Sequence, residues 1–285
     1  MRELTTKLRR FEAMQKSIAQ QFLEIARKDL TAARLLLENN EFPMAIFALQ
    51  QSVEKTMKAL GLEGAMVLFD ELASGQIGHK AYRIFRAGAQ QMSKKVQSVM
   101  DQLETDPSAL DFLPISQKVF QQYHLQLKTQ EGKIGSLQPA DYAELDAATF
   151  AELFKSFEEA ARTSLDVPPE DFQKQMIAWF QGVAQNKVKT PIDPDEMVAF
   201  CSNLDNVKLL LNALDKVVHI EIWAASILFP LSVITTAHES DSRYPCAHCG
   251  HHPPDYYRPG LPLVDNLGKL MEWQSKCLDV MAEFI

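Results

Sequence analysis

The chain has 285 residues, of which 46% are hydrophobic, so it can bury a substantial core and is not expected to be disordered. Its formal net charge of −8 excludes a surface that holds nucleic acid by overall positive charge, and any contact with RNA must be local. The four cysteines, Cys201, Cys246, Cys249 and Cys277, are too few and too unevenly spaced for a disulfide framework and predict reduced thiols.

We expect a cytoplasmic protein that is not embedded in a membrane. The basic residues near the N-terminus are not followed by the apolar run of a secretory signal. The uncharged stretch at residues 222–237 is shorter than the roughly 20 apolar residues that a membrane-spanning helix needs, and Pro230 interrupts it. We therefore interpret this stretch as a buried core helix.

Helical periodicity predicts a hairpin of two helices near the start of the chain. Apolar residues of the first helix recur every three or four positions, at Phe22, Ile25, Ala26, Leu30, Ala33 and Leu37. Asn39 and Asn40 suit a helix end, and Pro43 suits the first turn of the next helix, which needs no amide hydrogen there. The second helix carries an apolar stripe at Ala45, Leu49, Val53, Met57 and Leu60. Gly61 is predicted to end it.

The rest of the chain is also expected to be helical, because no segment alternates apolar and polar residues long enough for a strand. Residues 74–78 break the pattern, and His79 is expected to begin the next helix. Between residues 88 and 200, four aromatic residues at helical spacing are predicted core residues: Phe154, Phe157, Trp179 and Phe180. An irregular segment after residue 237 precedes an amphipathic terminal helix at residues 265–285.

The opening hairpin resembles that of the HEPN domain (higher eukaryotes and prokaryotes nucleotide-binding). The similarity is an ordered pattern: Ala26, Asp29, Leu30, Ala33, the Asn-rich turn, Ala45, Gln50, Gln51, Glu54, Lys55, Lys58 and Ala59. Shorter similarities follow at Ile77-Gly78-His79 and at Ser242-Arg243-Tyr244-Pro245. The resemblance implies an all-α fold in which residues 20–85 and 201–285 form an antiparallel four-helix bundle, with residues 86–200 as an inserted helical subdomain.

HEPN ribonucleases carry an Arg followed, after four to six residues, by a His, and Arg243 and His248 match that spacing. By this resemblance Arg243 is the expected phosphate ligand and His248 the expected general acid or base. A guanidinium group keeps its charge and can pair with two phosphate oxygens, and an imidazole can exchange a proton with a ribose 2′-hydroxyl near neutral pH. Such a pair needs no metal.

A structural role for Arg243 is the alternative. Tyr244 and Pro245 follow it, where nuclease members usually have a small polar residue directly after the Arg. In that interpretation Arg243 is a fork that binds loop carbonyls and stacks on Tyr244.

Residues 246–252 contain two Cys and three His, a density typical of metal binding. Cys246, Cys249 and His252 are the candidate ligands of a zinc ion, completed by one distant ligand or across a dimer. A coincidental grouping in a loop is the alternative, because the sequence has no second close pair of ligands. No other cofactor is expected. Zinc bound by His248 would prevent that side chain from acting as a base.

His79, Lys80 and Tyr244 are the candidate ligand-binding residues. If His79 begins a helix near the Arg243 loop, it and Lys80 can form an anion pocket at that helix N-terminus. A solvated basic face is the alternative, because runs of charge usually face water. Glu54 and Lys58 have the favourable helical spacing of four and are predicted to lie mostly on the surface.

Together these features predict a HEPN-domain protein that binds RNA or cleaves it as a metal-independent ribonuclease, in a toxin–antitoxin or defence setting. The resemblance also implies a homodimer and a nucleotidyltransferase-like protein partner. The alternative is a non-catalytic helical module for protein association or nucleotide binding. The acidic net charge, the Tyr-Pro pair after Arg243 and the long insertion favour that alternative.

Overall fold

The computed structural model describes residues 2–73, 77–105, 117–164, 166–185, 193–245 and 252–285. Within these ranges the regular elements are helices and no strand occurs, which confirms the predicted all-α class. The α-helices are α1 (Arg2–Glu38), α2 (Phe42–Glu63), α3 (Phe69–Ala73), α4 (Arg83–Thr105), α5 (Gln117–Ser136), α6 (Ala147–Ala161), α7 (Pro169–Gln185), α8 (Pro194–Cys201), α9 (Leu204–Trp223), α10 (Phe229–Ala237), α11 (Pro253–Tyr256), α12 (Pro262–Asp265) and α13 (Leu267–Phe284).

The chain forms two compact units. The first comprises Met1–Gly88, Gly132–Arg162 and Ile220–Ile285, and the second comprises Ala89–Glu131 and Thr163–His219. The first unit differs from the predicted bundle of residues 20–85 and 201–285, because it includes residues 132–162 and excludes residues 201–219.

The first unit is built on the predicted hairpin of α1 and α2. Over residues 16–38 of α1 the buried residues are Ala19, Leu23, Ala26, Leu30 and Ala33, and the small alanine side chains allow α2 to approach closely. All five residues of the predicted α2 stripe are buried. The prediction for Ile25 is wrong: its side chain is 42% exposed, because it lies about 100° around the helix from Ala26.

The last helix of the chain closes this bundle. α13 packs against both α1 and α2, and α10 packs against α2. Arg27 of α1 donates from Nη1 to Asp279 Oδ1 at 2.9 Å and from Nη2 to the backbone oxygen of Leu278 at 3.1 Å. The two ends of the chain therefore form one core, as the four-helix prediction requires.

A buried polar cluster sets the register of α13 on α2. Gln274 Nε2 donates to Ser52 Oγ at 3.0 Å and to Thr56 Oγ1 at 2.8 Å, and all three side chains are buried. A shift of either helix would leave these groups without partners in an apolar interior. The cluster therefore selects one alignment of the two helices.

Gly61 does not end α2. The helix continues to Glu63 and is capped by Gly64, so the predicted end at Gly61 is wrong. A Cβ atom at Gly61 would lie 2.8 Å from Ile84 Cγ2 and 2.9 Å from Val67 Cγ2. Close packing, rather than helix termination, requires glycine at this position.

Gly61→Ala is expected to lower the free energy of unfolding by about 1–3 kcal/mol, because overpacking outweighs the better helix propensity of alanine. Gly132→Ala is the matched control, since Gly132 lies within α5 and its Cβ position has nothing within 4 Å. We expect that change to be neutral or to stabilise by up to about 1 kcal/mol. Urea unfolding of both variants measures the difference, and equal midpoints would contradict the packing role.

α6 belongs to the first unit because its aromatic side chains enter the bundle core. Phe150, Phe154 and Phe157 are buried, and the ring of Phe157 meets Trp273 of α13 edge to face with 5.5 Å between centroids. The prediction of Phe154 and Phe157 as core residues is confirmed. Their core is that of the hairpin, and this contact accounts for the difference from the predicted boundaries.

The second unit has a smaller core, in which α7 packs against α8. Phe180, Cys201 and Val207 are buried, and Trp179 packs against them while partly exposed. The predicted core role of Phe180 is thereby confirmed, and Trp179 lies at the edge of the same cluster.

α9 and α10 are joined by the π turn Ala224–Leu228, so the helix runs without a break from Leu204 to Ala237. Pro230 lies in the first turn of α10, where the change of helical pitch accommodates its missing amide hydrogen. By length and composition the helix could cross a membrane: its most apolar window of 18 residues has a mean hydropathy of 1.9, and half of that window is buried in the protein. A core helix meets the same criterion.

Candidate functional site

Arg243 and Tyr244 lie in a series of turns directly after α10. The helix ends at Ala237, and the turns are closed by backbone hydrogen bonds, including Tyr244 N to Ser240 O at 3.0 Å. The turn carries Arg243 out of the helical bundle and back toward α2.

Three neighbours hold the Arg243 side chain, which is 26% exposed. Nη2 donates to Glu239 Oε1 at 2.8 Å, and Nε donates to the backbone oxygen of Glu239 at 3.1 Å. The guanidinium carbon lies 4.6 Å from the ring centroid of Phe47 and 5.0 Å from that of Tyr244. Phe47 belongs to α2, so Arg243 contacts the opening hairpin across the bundle.

His79 lies between two carboxylates. Its Nδ1 is 3.0 Å from Glu54 Oε2 and 3.9 Å from Glu239 Oε1. The second of these oxygens is the one that accepts the hydrogen bond from Arg243 Nη2. His79 and Arg243, which the sequence places far apart, therefore meet at a single oxygen atom.

The location of His79 differs from the prediction. α4 begins at Arg83, and His79 belongs to the turn before it, next to Gly78 with its positive φ of 53°. Gly78 can adopt this backbone conformation without the steric cost that a side chain would add. The turn directs His79 onto the face of α2 that carries Glu54.

Glu54 anchors the cluster from α2. Its side chain is 5% exposed, and it accepts hydrogen bonds from Lys58 Nζ at 2.6 Å and Gln50 Nε2 at 3.1 Å. Burial alone would raise the pKa of Glu54, but hydrogen bonds from Lys58 and His79 outweigh it and lower the pKa below its ordinary value. Glu54 is therefore an ionised carboxylate at neutral pH, and its predicted surface location is wrong.

Sequence reasoning missed Glu54 and Glu239 as site residues. Glu54 follows Gln50 by four residues and adjoins Val53 of the buried stripe, and a polar residue so close to a core must find a partner. That spacing was a usable signal. Glu239 precedes Arg243 by four residues, which was a similar signal, but its approach to His79 depends on the fold alone.

The remaining predicted site residues lie apart from this cluster or outside the described residues. Lys80 is exposed beside His79. His252 is 63% exposed, and its Nδ1 lies 3.7 Å from Asp255 Oδ2. Cys246, His248 and Cys249 fall outside the described residues, so the Arg/His pair and the zinc ligands stay predictions. Within the described ranges, no three His, Cys, Asp or Glu side chains group to hold a metal ion.

Two cysteines in the described part of the chain are free thiols. Cys201 and Cys277 are both buried, and burial raises the pKa of each thiol above its ordinary value. Neither is therefore a reactive nucleophile, because the thiolate is the reactive form.

The fold and the site define a helical-bundle protein whose two ends meet at a cluster of Arg, His and carboxylate side chains. The model of the HEPN domain family matches residues 19–67, which comprise much of α1, the whole of α2 and the turn after it. The match includes Glu54 and Phe47, and it confirms the predicted resemblance of the opening hairpin to the HEPN domain. In general terms this domain indicates a nucleotide-binding or ribonuclease-like function. No curated protein and no solved structure matched the chain.

Proposed function

We propose that this protein binds RNA at the cluster around Arg243 and cleaves the bound strand without a metal ion. The observation that carries the proposal is the convergence of Arg243 and His79 at Glu239, on the hairpin of a HEPN domain. The exposed ring of Tyr244 adjoins them. A cation, an imidazole and an aromatic surface are the groups that RNA cleavage of this kind uses.

Each group has a distinct task. Arg243 offers a permanent charge and donors that match phosphate oxygens. Tyr244, which is 59% exposed, offers a surface on which an unpaired base can stack. Lys80 adds an exposed positive charge to the local surface of an acidic protein. These features favour single-stranded RNA, whose bases are free to stack.

The proposed reaction uses the ribose 2′-hydroxyl as nucleophile. The 2′-oxygen attacks phosphorus, the bond from phosphorus to the 5′-oxygen breaks, and the products are a 2′,3′-cyclic phosphate and a 5′-hydroxyl. His248 remains the proposed proton donor to the leaving oxygen. DNA lacks the 2′-hydroxyl and is therefore not a substrate.

A non-catalytic module is the second candidate, and the contacts of Arg243 favour it. The guanidinium group binds the backbone oxygen and the carboxylate of Glu239 and lies beside Tyr244, as a structural fork would. In this case the bundle serves protein association or nucleotide binding, and RNA is not cleaved.

The wider setting is part of the proposal. We place the protein in the cytoplasm as a homodimer, in a toxin–antitoxin or defence role, with a nucleotidyltransferase-like partner. Zinc held by Cys246, Cys249 and His252 is a separate proposal, and the zinc content of the purified protein tests it.

Arg243→Ala is expected to weaken RNA binding by about 10- to 100-fold, because a charge-assisted hydrogen bond is lost, and to abolish cleavage. The test incubates the full chain with labelled single-stranded RNA in the presence of a chelator, beside DNA of the same sequence. Arg162→Ala is the control, since Arg162 has a 79% exposed side chain and lies outside the cluster.

RNA cleavage that survives chelation and is lost only in Arg243→Ala supports the ribonuclease. Binding without cleavage by the wild type favours the module, and unchanged behaviour of Arg243→Ala contradicts the site.

A further inference from the structure

Glu54 orients the imidazole of His79 in a defined way. An ionised carboxylate can only accept hydrogen bonds, so His79 Nδ1 must donate across the 3.0 Å to Glu54 Oε2. In a neutral imidazole this arrangement leaves the lone pair on Nε2, which is the nitrogen able to take a proton. The side chain of His79 is 59% exposed, so a bound substrate can reach it.

Two carboxylates and a guanidinium group lie near His79. Glu54 is held in place by Lys58 and Gln50, so the orientation of the imidazole is supported from within α2. Glu239 Oε1 lies 3.9 Å from His79 Nδ1, the same nitrogen that contacts Glu54. Arg243 is bonded to the same Glu239 and can hold a phosphate next to His79.

We propose that His79 is the general base of RNA cleavage and that Glu54 is its positioning residue. This inference rests on the proposed function and extends it, because it assigns the first proton transfer to a histidine outside the Arg243/His248 spacing. His79 takes the proton of the 2′-hydroxyl.

The step balances without a co-reactant. The O2′–H bond breaks as its proton moves to His79 Nε2, the O2′–P bond forms, and the P–O5′ bond breaks with its electron pair remaining on O5′. One proton reaches O5′ and completes the 5′-hydroxyl. His79 then returns the proton it took to solvent, so the number of protons is unchanged and nothing is oxidised or reduced.

His79→Ala is expected to lower the cleavage rate by about 10²- to 10⁴-fold, which is the usual contribution of a general base. The substrate is a DNA strand that contains a single ribonucleotide, and the full chain is used. Affinity for the 2′-O-methyl form of this strand, which cannot be cleaved, is expected to change by no more than about threefold, because the loss is in the transition state. Added imidazole is expected to restore part of the rate. His219→Ala, which removes a partly exposed imidazole in the second unit, is the control and is expected to cleave normally.

A second substrate separates a base from an acid. When sulfur replaces the 5′ bridging oxygen, the leaving group needs no proton, so the defect of a missing acid disappears and that of a missing base persists. We expect the defect of His79→Ala to persist. Glu54→Gln is expected to lower the cleavage rate while its affinity for the 2′-O-methyl strand stays within about threefold of the wild type, a split between rate and affinity that a role in folding alone would not produce.

The outcomes separate this inference from the function on which it rests. If His79→Ala cleaves at the wild-type rate, or if the sulfur substrate restores its rate, His79 is not the general base. The proposed ribonuclease function is not affected by either result. A wild-type protein that does not cleave RNA overturns both. Thermal unfolding of His79→Ala near that of the wild type establishes that a lower rate is not a loss of folded protein.

Discussion

Glu54→Ala is expected to lower the free energy of unfolding by about 3–5 kcal/mol, the usual cost of removing one partner from a buried ion pair. Lys58, whose side chain is 15% exposed, would keep its charge in a largely dry environment after losing the carboxylate at 2.6 Å. Gln50 and His79 would lose the same acceptor. Urea unfolding followed by circular dichroism measures the change.

Two further variants give this prediction its controls. Replacing Lys58 by Met in the Glu54→Ala background removes the unpaired charge and is expected to recover most of the loss. Glu159→Ala removes a 66% exposed carboxylate and is expected to change stability by no more than about 0.5 kcal/mol. A Glu54→Ala variant as stable as Glu159→Ala would show that water can replace the carboxylate as the partner of Lys58. The interpretation of Glu54 as a buried anchor would then be wrong.

The ion pair of Glu54 and Lys58 also predicts the direction in which the stability of the protein changes with pH. The pKa of Glu54 is lower in the folded chain than its ordinary value of 4.5. As the pH falls, Glu54 is therefore protonated in the unfolded chain before it is protonated in the folded chain. The stability that the ionised carboxylate contributes is present above the ordinary pKa and is lost as the pH falls through the lower pKa of the folded chain.

Acidification from pH 7 to pH 5 is expected to cost about 2 kcal/mol of stability through His238 alone. This side chain is buried, and burial lowers its pKa from 6.5 to about 4. Between these values the unfolded chain carries the proton and the folded chain does not, so stability is complete above the ordinary pKa and falls as the pH drops toward the folded one. Its Nδ1 lies 3.0 Å from the hydroxyl of Tyr257.

The groups near His238 do not stabilise its protonated form. Burial, followed by the charge of Asp241, raises the pKa of Tyr257, which therefore stays protonated over this range. His238→Phe keeps a ring against Tyr257 and removes the titrating group. We expect it to lose about 2 kcal/mol less than the wild type between pH 7 and pH 5. If the free energy of unfolding changed equally with pH in His238→Phe and in the wild type, the interpretation of His238 as a buried, neutral histidine would be contradicted.

The opening hairpin was predictable because its information is local. Alanine and leucine at helical spacing, the Asn-Asn turn and Pro43 each act on neighbouring residues, and the ordered pattern matched the HEPN family. Gly61 was misassigned because a glycine required by packing and a glycine required by a helix end look the same in a sequence. Only the positions of Val67 and Ile84 distinguish them.

The candidate site was only partly predictable. Arg243 and His79 were found from residue type and from the resemblance, but the carboxylates that join them were not. Glu54 was assigned to the surface because a lysine follows it by four positions, although its place beside the buried stripe and four residues after Gln50 pointed to a partner. Its contact with His79 could not be predicted, because no pattern within α2 indicates where the turn of His79 lies.

The sequence by itself determined the helical class, the hairpin and its family, because helix propensity and apolar periodicity depend on residues a few positions apart. Only the tertiary structure decided that α6 joins the bundle core through Trp273, and that Glu54, His79, Glu239 and Arg243 meet. These contacts arise from the packing of helices distant in sequence. Their energies depend on which charges become buried together, and that is a property of the folded chain.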